Sequence, residues 1–272
     1  MDEYSLQRLD IDSLKQVIAD KVHNGKLICR DRRYKVIMIG ASGVGKTSLV
    51  WRFVRDRFDE TSSSTIGAAF CAKSIDSAAG KITLDIWDTA GQERYDSLVP
   101  MYYRDAQIIF IVFDLTDTNS LDRAIRWIGD LEYGGAASVS SIRNVNLILI
   151  GNKADCENSS HQDSRAKKFC EEHNAKTGDG EDKTIDGKKN LHFLHYVTTS
   201  AKQSVNVTET FCGAIAHIID LEVPGSMDET LVNDDGLNLM SESSSGWGCG
   251  TFLSSINPMR LVWNPPIKDR DR

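Results

Sequence analysis

Apolar residues along the chain recur with two different spacings. Residues 34–39 are apolar and β-branched, a glycine-rich turn follows, and residues 46–57 read as a helix. Residues 70–75 and 81–87 read as the two arms of a hairpin around Ala78-Ala79-Gly80. Residues 108–113 and 145–150 are short continuous apolar runs, the pattern of parallel strands buried on both faces. Helical signals cover 120–131, 164–174 and 205–221, with one more strand near 191–197. This alternation predicts an α/β domain, a sheet with helices on both faces. In such sheets ligands bind at the carboxyl ends of the strands.

Two appendages flank the predicted domain at 34–222. In residues 1–33, Ser13-Leu14-Lys15-Gln16 fits a capping box, after which Leu14, Val17, Ile18 and Val22 share one helical face and Asn24-Gly25 supplies a stop. Such an amphipathic helix either docks on its own domain, frays, or serves a partner or membrane. Residues 223–272 are rich in Ser, Gly, Asn and Pro and are expected to be a mostly disordered tail. Residues 174–190, polar and glycine-rich, read as a loop insertion longer than the ~4–6 residues of an ordinary connection.

Composition narrows the partners. Across 272 residues, 32 Lys and Arg stand against 39 Asp and Glu, a net charge of −7 that argues against nucleic-acid binding. No apolar run approaches the ~18 residues a membrane span needs. Six cysteines without a C-x-x-C pair read as reduced thiols of a cytoplasmic protein.

The chemistry lies at the predicted strand ends. Gly40-Ala41-Ser42-Gly43-Val44-Gly45-Lys46-Thr47 matches G-x-x-x-x-G-K-[ST] between a strand and a helix. Its glycines let the backbone N–H groups of Gly43, Val44, Gly45, Lys46, Thr47 and Ser48 converge on phosphate oxygens, beside the positive end of a helix. Ser42 lines the same loop, Lys46 reaches the β- and γ-phosphates, and the Thr47 hydroxyl suits Mg²⁺. In Trp87-Asp88-Thr89-Ala90-Gly91-Gln92-Glu93, Asp88 can hold a magnesium water, Gly91 can offer an N–H to a γ-phosphate, and Gln92 can orient an attacking water. Ser64-Thr65-Ile66-Gly67 lies in a polar stretch, and the Thr65 hydroxyl could join the metal only while that loop folds inward. Asn152-Lys153-Ala154-Asp155 follows a strand. A fixed Asp155 carboxylate accepts from both N1–H and the exocyclic amine of guanine, whereas adenine would leave it unmatched. In Thr199-Ser200-Ala201-Lys202 a backbone N–H can serve the guanine O6, and Phe58 can pack on the base edge.

Taken in order, GASGVGKT, STIG, WDTAGQE, NKAD and TSAK resemble the Ras superfamily of small GTPases over about residues 34–222. Within it, STIGAAF and GQERYDSLVPMYYRDAQ look like the Rab family, and its early-endosomal "Rab five" branch in particular. The resemblance implies a P-loop NTPase fold with a mostly parallel six-stranded sheet. It also implies a GTP/GDP switch in vesicle trafficking, peripheral on endosomal membranes. Gln92, Lys46 and Thr65 would be its catalytic residues, and Thr47, Thr65 and Asp88 its Mg²⁺ ligands. Exchange factors, GTPase-activating proteins and effectors would be its partners, with Phe70, Trp87 and Tyr102 matching the aromatic trio that contacts effectors. No arginine of the switch region stands out by motif, so intrinsic hydrolysis is expected to be slow and to depend on an activating protein. Asp105 stands where the family usually has glycine. The nearest cysteine to the last residue is Cys249 and position 2 is Asp, so neither prenylation nor myristoylation is expected, and membrane contact would then lack a stable anchor. The alternative reading is a nucleotide-bound scaffold without stable membrane attachment. An ATPase or P-loop kinase is disfavoured by Asp155.

Overall fold

Along the first strand, Val36 and Met38 enter one apolar cluster while Ile37 and Ile39 enter another, the two-residue period of a strand covered on both faces. The computed structural model describes residues 9–61, 63–91, 102, 104–133, 145–157, 159–177 and 194–223. Its strands are β1 (Arg32–Ile39), β2 (Ala68–Ser77), β3 (Gly80–Thr89), β4 (Ile108–Asp114), β5 (Asn146–Asn152) and β6 (His195–Thr198). They form a six-stranded sheet in the order β2-β3-β1-β4-β5-β6, parallel except for the β2–β3 hairpin. The helices are α1 (Ile11–His23), α2 (Lys46–Arg55), α3 (Thr118–Tyr133), α4 (Ser160–Thr177) and α5 (Val207–Glu222). The predicted fold class, α/β with a mostly parallel six-stranded sheet, is the one observed.

The two faces carry separate cores. On one, Val36, Met38, Phe110, Val112 and Ile148 meet Leu49 and Phe53 of α2 and Phe211 and Ile215 of α5. Phe53 and Phe211 stack with centroids 3.9 Å apart, and Phe110 meets Phe211 edge-on at 4.8 Å. On the other, Ile37, Ile109, Ile111 and Leu149 meet Leu121 and Ile128 of α3 and Ala166 of α4. Every residue of β4 and β5 is buried. Continuous apolar runs in the sequence therefore mark the centre of the sheet.

The N-terminal helix begins earlier than the sequence suggests. Asp10, not Ser13, is its N-cap; the Asp10 side chain accepts from the Ser13 N–H at 2.7 Å. An ionised Asp is the stronger acceptor for a first-turn N–H, so Ser13 falls inside the helix. Leu14 and Ile18 are fully buried against the α2/α5 face, with Val17 and Val22 partly covered. α1 lies against α5 and β2, and Lys21 pairs with Asp220. The following segment straps the hairpin turn: Arg30 N–H donates to Ala79 O at 2.7 Å, and the Asp31 carboxylate accepts from the Lys81 N–H at 2.8 Å. At its end Glu222 accepts from Arg32 Nε at 2.8 Å, Tyr34 OH at 2.8 Å and Arg30 at 3.3 Å.

Other boundaries shift modestly. α2 ends at Arg55, with Asp56 at φ 50° as its C-cap. α4 continues to Thr177, because Ala175 and Lys176 are good helix formers. Residues 178–190 of the expected insertion, and 224–272 of the expected tail, lie outside the described residues. Asp105 takes φ 57°, a left-handed conformation that glycine adopts freely and Asp tolerates.

Candidate functional site

The loops after β1, β3, β5 and β6 surround a cleft of about 380 Å³. Of the residues singled out in the sequence, Ser42, Gly43, Gly45, Lys46, Thr47, Ser48, Phe58, Thr65, Gly91, Asn152, Lys153, Asp155, Ala201 and Lys202 line it. Val44, Asp88 and Ser200 are buried around it. Gln92 lies outside the described residues.

At one end the glycine-rich loop bends back on itself. Lys46, almost wholly buried, donates from Nζ to Gly40 O and Ala41 O, each at 2.8 Å. Its charge is thus held over the loop that it closes, where a polyanion would sit. Gly45 has φ 97°, and a Cβ there would run into the Asn152 amide. A Cβ on Gly91 would collide with the Ala41 backbone, so the chain after β3 passes directly beside the phosphate loop.

In the middle, three oxygen donors from three elements converge. Thr47 Oγ1 donates to Asp88 Oδ2 at 2.5 Å, and Thr65 Oγ1 lies 2.7 Å from Thr47 Oγ1 and 3.4 Å from Asp88 Oδ2. Burial raises the Asp88 pKa, outweighing the Thr47 bond, the nearby Lys46 charge and the Thr65 bond, all of which act to lower it. Asp88 Oδ1 is buried with no hydrogen-bond partner among the described residues. A buried carboxylate with an orphaned oxygen beside two hydroxyls is a donor set of the kind that hard divalent cations take. The loop bearing Thr65 is tied in again by the Ala90 N–H, which donates to Gly67 O at 2.7 Å.

At the other end Asp155 is fixed by the Ser200 hydroxyl, which donates to Oδ1 at 2.6 Å. Ser200 is itself fixed, since its Oγ accepts from the Gln203 N–H at 3.0 Å. Lys153, at φ 65°, extends to Asp114 Oδ2 at 2.6 Å. Burial opposes the Asp114 charge, but the bonds from Lys153 and Thr116 prevail and hold its pKa below the ordinary carboxylate value. Asn152 joins the two ends. Its Nδ2 donates to Val44 O at 2.8 Å, and its Oδ1 accepts from Thr199 Oγ1 and the Ala201 N–H, each at 3.2 Å.

Sequence reasoning missed several contributors. Asp59, Glu60, Ser63, Ser64, Thr89 and Cys156 also line the cleft, and Glu60 pairs with Lys202 at 2.7 Å. Asp114 lies beneath Lys153. Arg52 of α2 donates from Nε to Ala201 O at 2.9 Å and from Nη2 to Lys202 O at 3.2 Å. Its only signal in the sequence is the Arg52/Asp56 spacing of a helical surface pair. On the outer surface Phe70 and Trp87, opposed across the hairpin, lie 5.3 Å apart by centroid, and Trp87 lies 5.8 Å from Tyr102. Phe70 is half exposed, and Ile66, four residues before it in the chain, is 82% exposed. Among the described residues no helix is long and apolar enough to cross a membrane.

The family model described as "Ras family" matches residues 35–220. Ras-related protein Rab5 of Nicotiana tabacum is 38% identical over 177 residues, covering 65% of this chain and 76% of the relative. The matched residues 35–220 take in every residue that lines the cleft, together with β3, which carries the buried carboxylate, and α2 and the loop before β2, which carry the converging hydroxyls. The chain belongs to the Ras family of small GTPases, as a GTP-hydrolysing member of the Rab kind similar to Rab5.

Proposed function

We propose that this GTPase works as a GTP/GDP switch in endosomal vesicle trafficking, on the cytoplasmic side and peripheral to the membrane. The observation that carries the switch is the inward-folded Thr65, 2.7 Å from Thr47 Oγ1 and within reach of Asp88. Kinship to a Rab5 supports the trafficking role.

In this reading the backbone amides of residues 43–48 and Lys46 hold the β- and γ-phosphates, and Asp155 with the loop at 199–202 reads guanine. Phe58 and the stem of Lys153 pack against the base. Thr47, Thr65 and Asp88 would hold Mg²⁺, which supplies positive charge to the phosphate oxygens when bound. Gln92 orients the attacking water, and Gly91 offers its N–H to the γ-phosphate. The Thr65 loop stays folded while the third phosphate is present and is released when it departs. Phe70, Trp87 and Tyr102, with the loop beside them, form the face that effectors meet. Exchange factors open the cleft and an activating protein supplies the missing catalytic charge.

Single-turnover hydrolysis tests the mechanism. The purified chain should turn over GTP slowly, and Gln92→Leu should slow it at least tenfold further while leaving nucleotide affinity within about twofold. Rapid hydrolysis by the chain alone, or none lost in the variant, contradicts it. Equal affinity for ATP and GTP would undo the base assignment.

A further inference from the structure

We infer that Arg52 is a positioning residue for base specificity, fixing the loop amides that meet the six-position oxygen of guanine; this rests on the guanine-nucleotide reading above. Arg52 lies in the last turn of α2, is not among the residues that line the cleft, and its side chain is only 15% exposed. Its guanidinium makes four bonds. Two hold the successive carbonyls of Ala201 and Lys202 at 2.9 and 3.2 Å, and two hold Asp56 through its carbonyl at 3.1 Å and its carboxylate at 2.9 Å.

In a trans peptide the C=O and the following N–H lie in one plane and point in opposite directions across the C–N bond. Drawing the Ala201 carbonyl toward α2 therefore turns the Lys202 N–H away from α2. The neighbouring Ala201 N–H donates to Asn152 Oδ1 at 3.2 Å. Both residues line the cleft. A rigid fork that spans two adjacent carbonyls suits this task, whereas a lysine offers a single point charge on a flexible stem. The Asp56 carboxylate neutralises the guanidinium and fixes its plane. The geometry divides the labour: Asp155 reads the N1–H and amine edge, and Arg52, acting through the backbone, secures the oxygen edge.

Three diphosphates separate the two edges by competition against a fluorescent guanine nucleotide. GDP carries both, IDP lacks the amine, and 6-thio-GDP replaces the oxygen with a weak sulfur acceptor. In the wild type GDP should bind better than either analogue. Arg52→Met should weaken GDP and IDP alike, by about three- to tenfold for a lost neutral hydrogen bond. It should barely alter 6-thio-GDP, so that the GDP to 6-thio-GDP preference collapses and the GDP to IDP preference survives. Asp155→Asn should produce the reverse pattern. Arg52→Lys, which keeps the charge and can donate but loses the rigid fork, should recover part of the lost preference and serves if the Met variant does not fold. Equal weakening of all three diphosphates by both Arg52 variants would make Arg52 a mere structural brace, and unchanged GDP binding would remove it from the site. Failure of the wild type to bind any guanine nucleotide would instead sink the function proposed above.

Discussion

Asp88 concentrates the chemistry of the cleft in one carboxylate. It is buried, its pKa is raised by that burial, and among the described residues only one of its oxygens is bonded. If the free oxygen serves magnesium through direct or water contact, chelation should speed GDP release in the wild type. In Asp88→Asn release should already be fast and EDTA should add less than twofold, measured by fluorescent-GDP dissociation. An undiminished EDTA effect would place the metal elsewhere. The residue scale also shows what a sequence conceals. Gly45, Lys46, Thr47, Asp88 and Asp155 were legible because a glycine-rich turn and acidic strand ends follow directly from phosphate and base chemistry. Arg52 and Asp114 were not, because each acts through a backbone carbonyl or a neighbouring lysine, and one-dimensional spacing records no such contact.

Among the elements, α1 and the strap after it are the least expected part. Its apolar stripe was readable, but the stripe alone left docking, fraying and partner binding open; burial of Leu14 and Ile18 depends on α5 and β2, elements remote in sequence. The sheet centre was read well because strands buried on both faces advertise themselves as unbroken apolar runs. Helix ends were read less well: at α1 the cap is Asp10, three residues before the Ser13 the sequence suggests, because several polar residues near a helix start can serve. The junction at Glu222 can be tested. Burial works against its charge, but Arg32, Tyr34 and Arg30 outweigh that cost and depress its pKa. A depressed carboxylate contributes stability above its unfolded value of about 4.3, and that contribution disappears as pH falls through the folded value. Glu222→Gln should therefore lose about 1–2 kcal/mol at pH 7, partly because Arg32 is left nearly buried without its anion. The gap between variant and wild type in urea unfolding should narrow steadily toward pH 4. A gap independent of pH would rule out the ion-pair account.

For the molecule as a whole, the loop from Phe58 to Gly67 is held, among the described residues, at few points: Glu60 to Lys202, Thr65 to Thr47 and Asp88, and Gly67 to Ala90. The first is a pair of solvated side chains, screened by water, and contributes little. Most of the loop's order should then come from Thr65 and whatever it grips. Amide hydrogen exchange across residues 59–66 should be at least tenfold slower with a non-hydrolysable GTP analogue than with GDP, while β4 and β5 stay equally protected in both. Equal exchange in the two states would mean that this segment does not report the third phosphate.

Asn152 gives the cleft a mechanical property that neither of its ends has alone. One amide side chain grips the phosphate loop through Val44 and the base loop through Thr199 and Ala201. A nucleotide is consequently sensed as a single rod rather than as two fragments, so nucleoside and pyrophosphate offered separately should fall far short of the intact molecule. By the same token, anything that evicts the nucleotide needs a fingerhold at only one mouth, because a pull there is felt at the other.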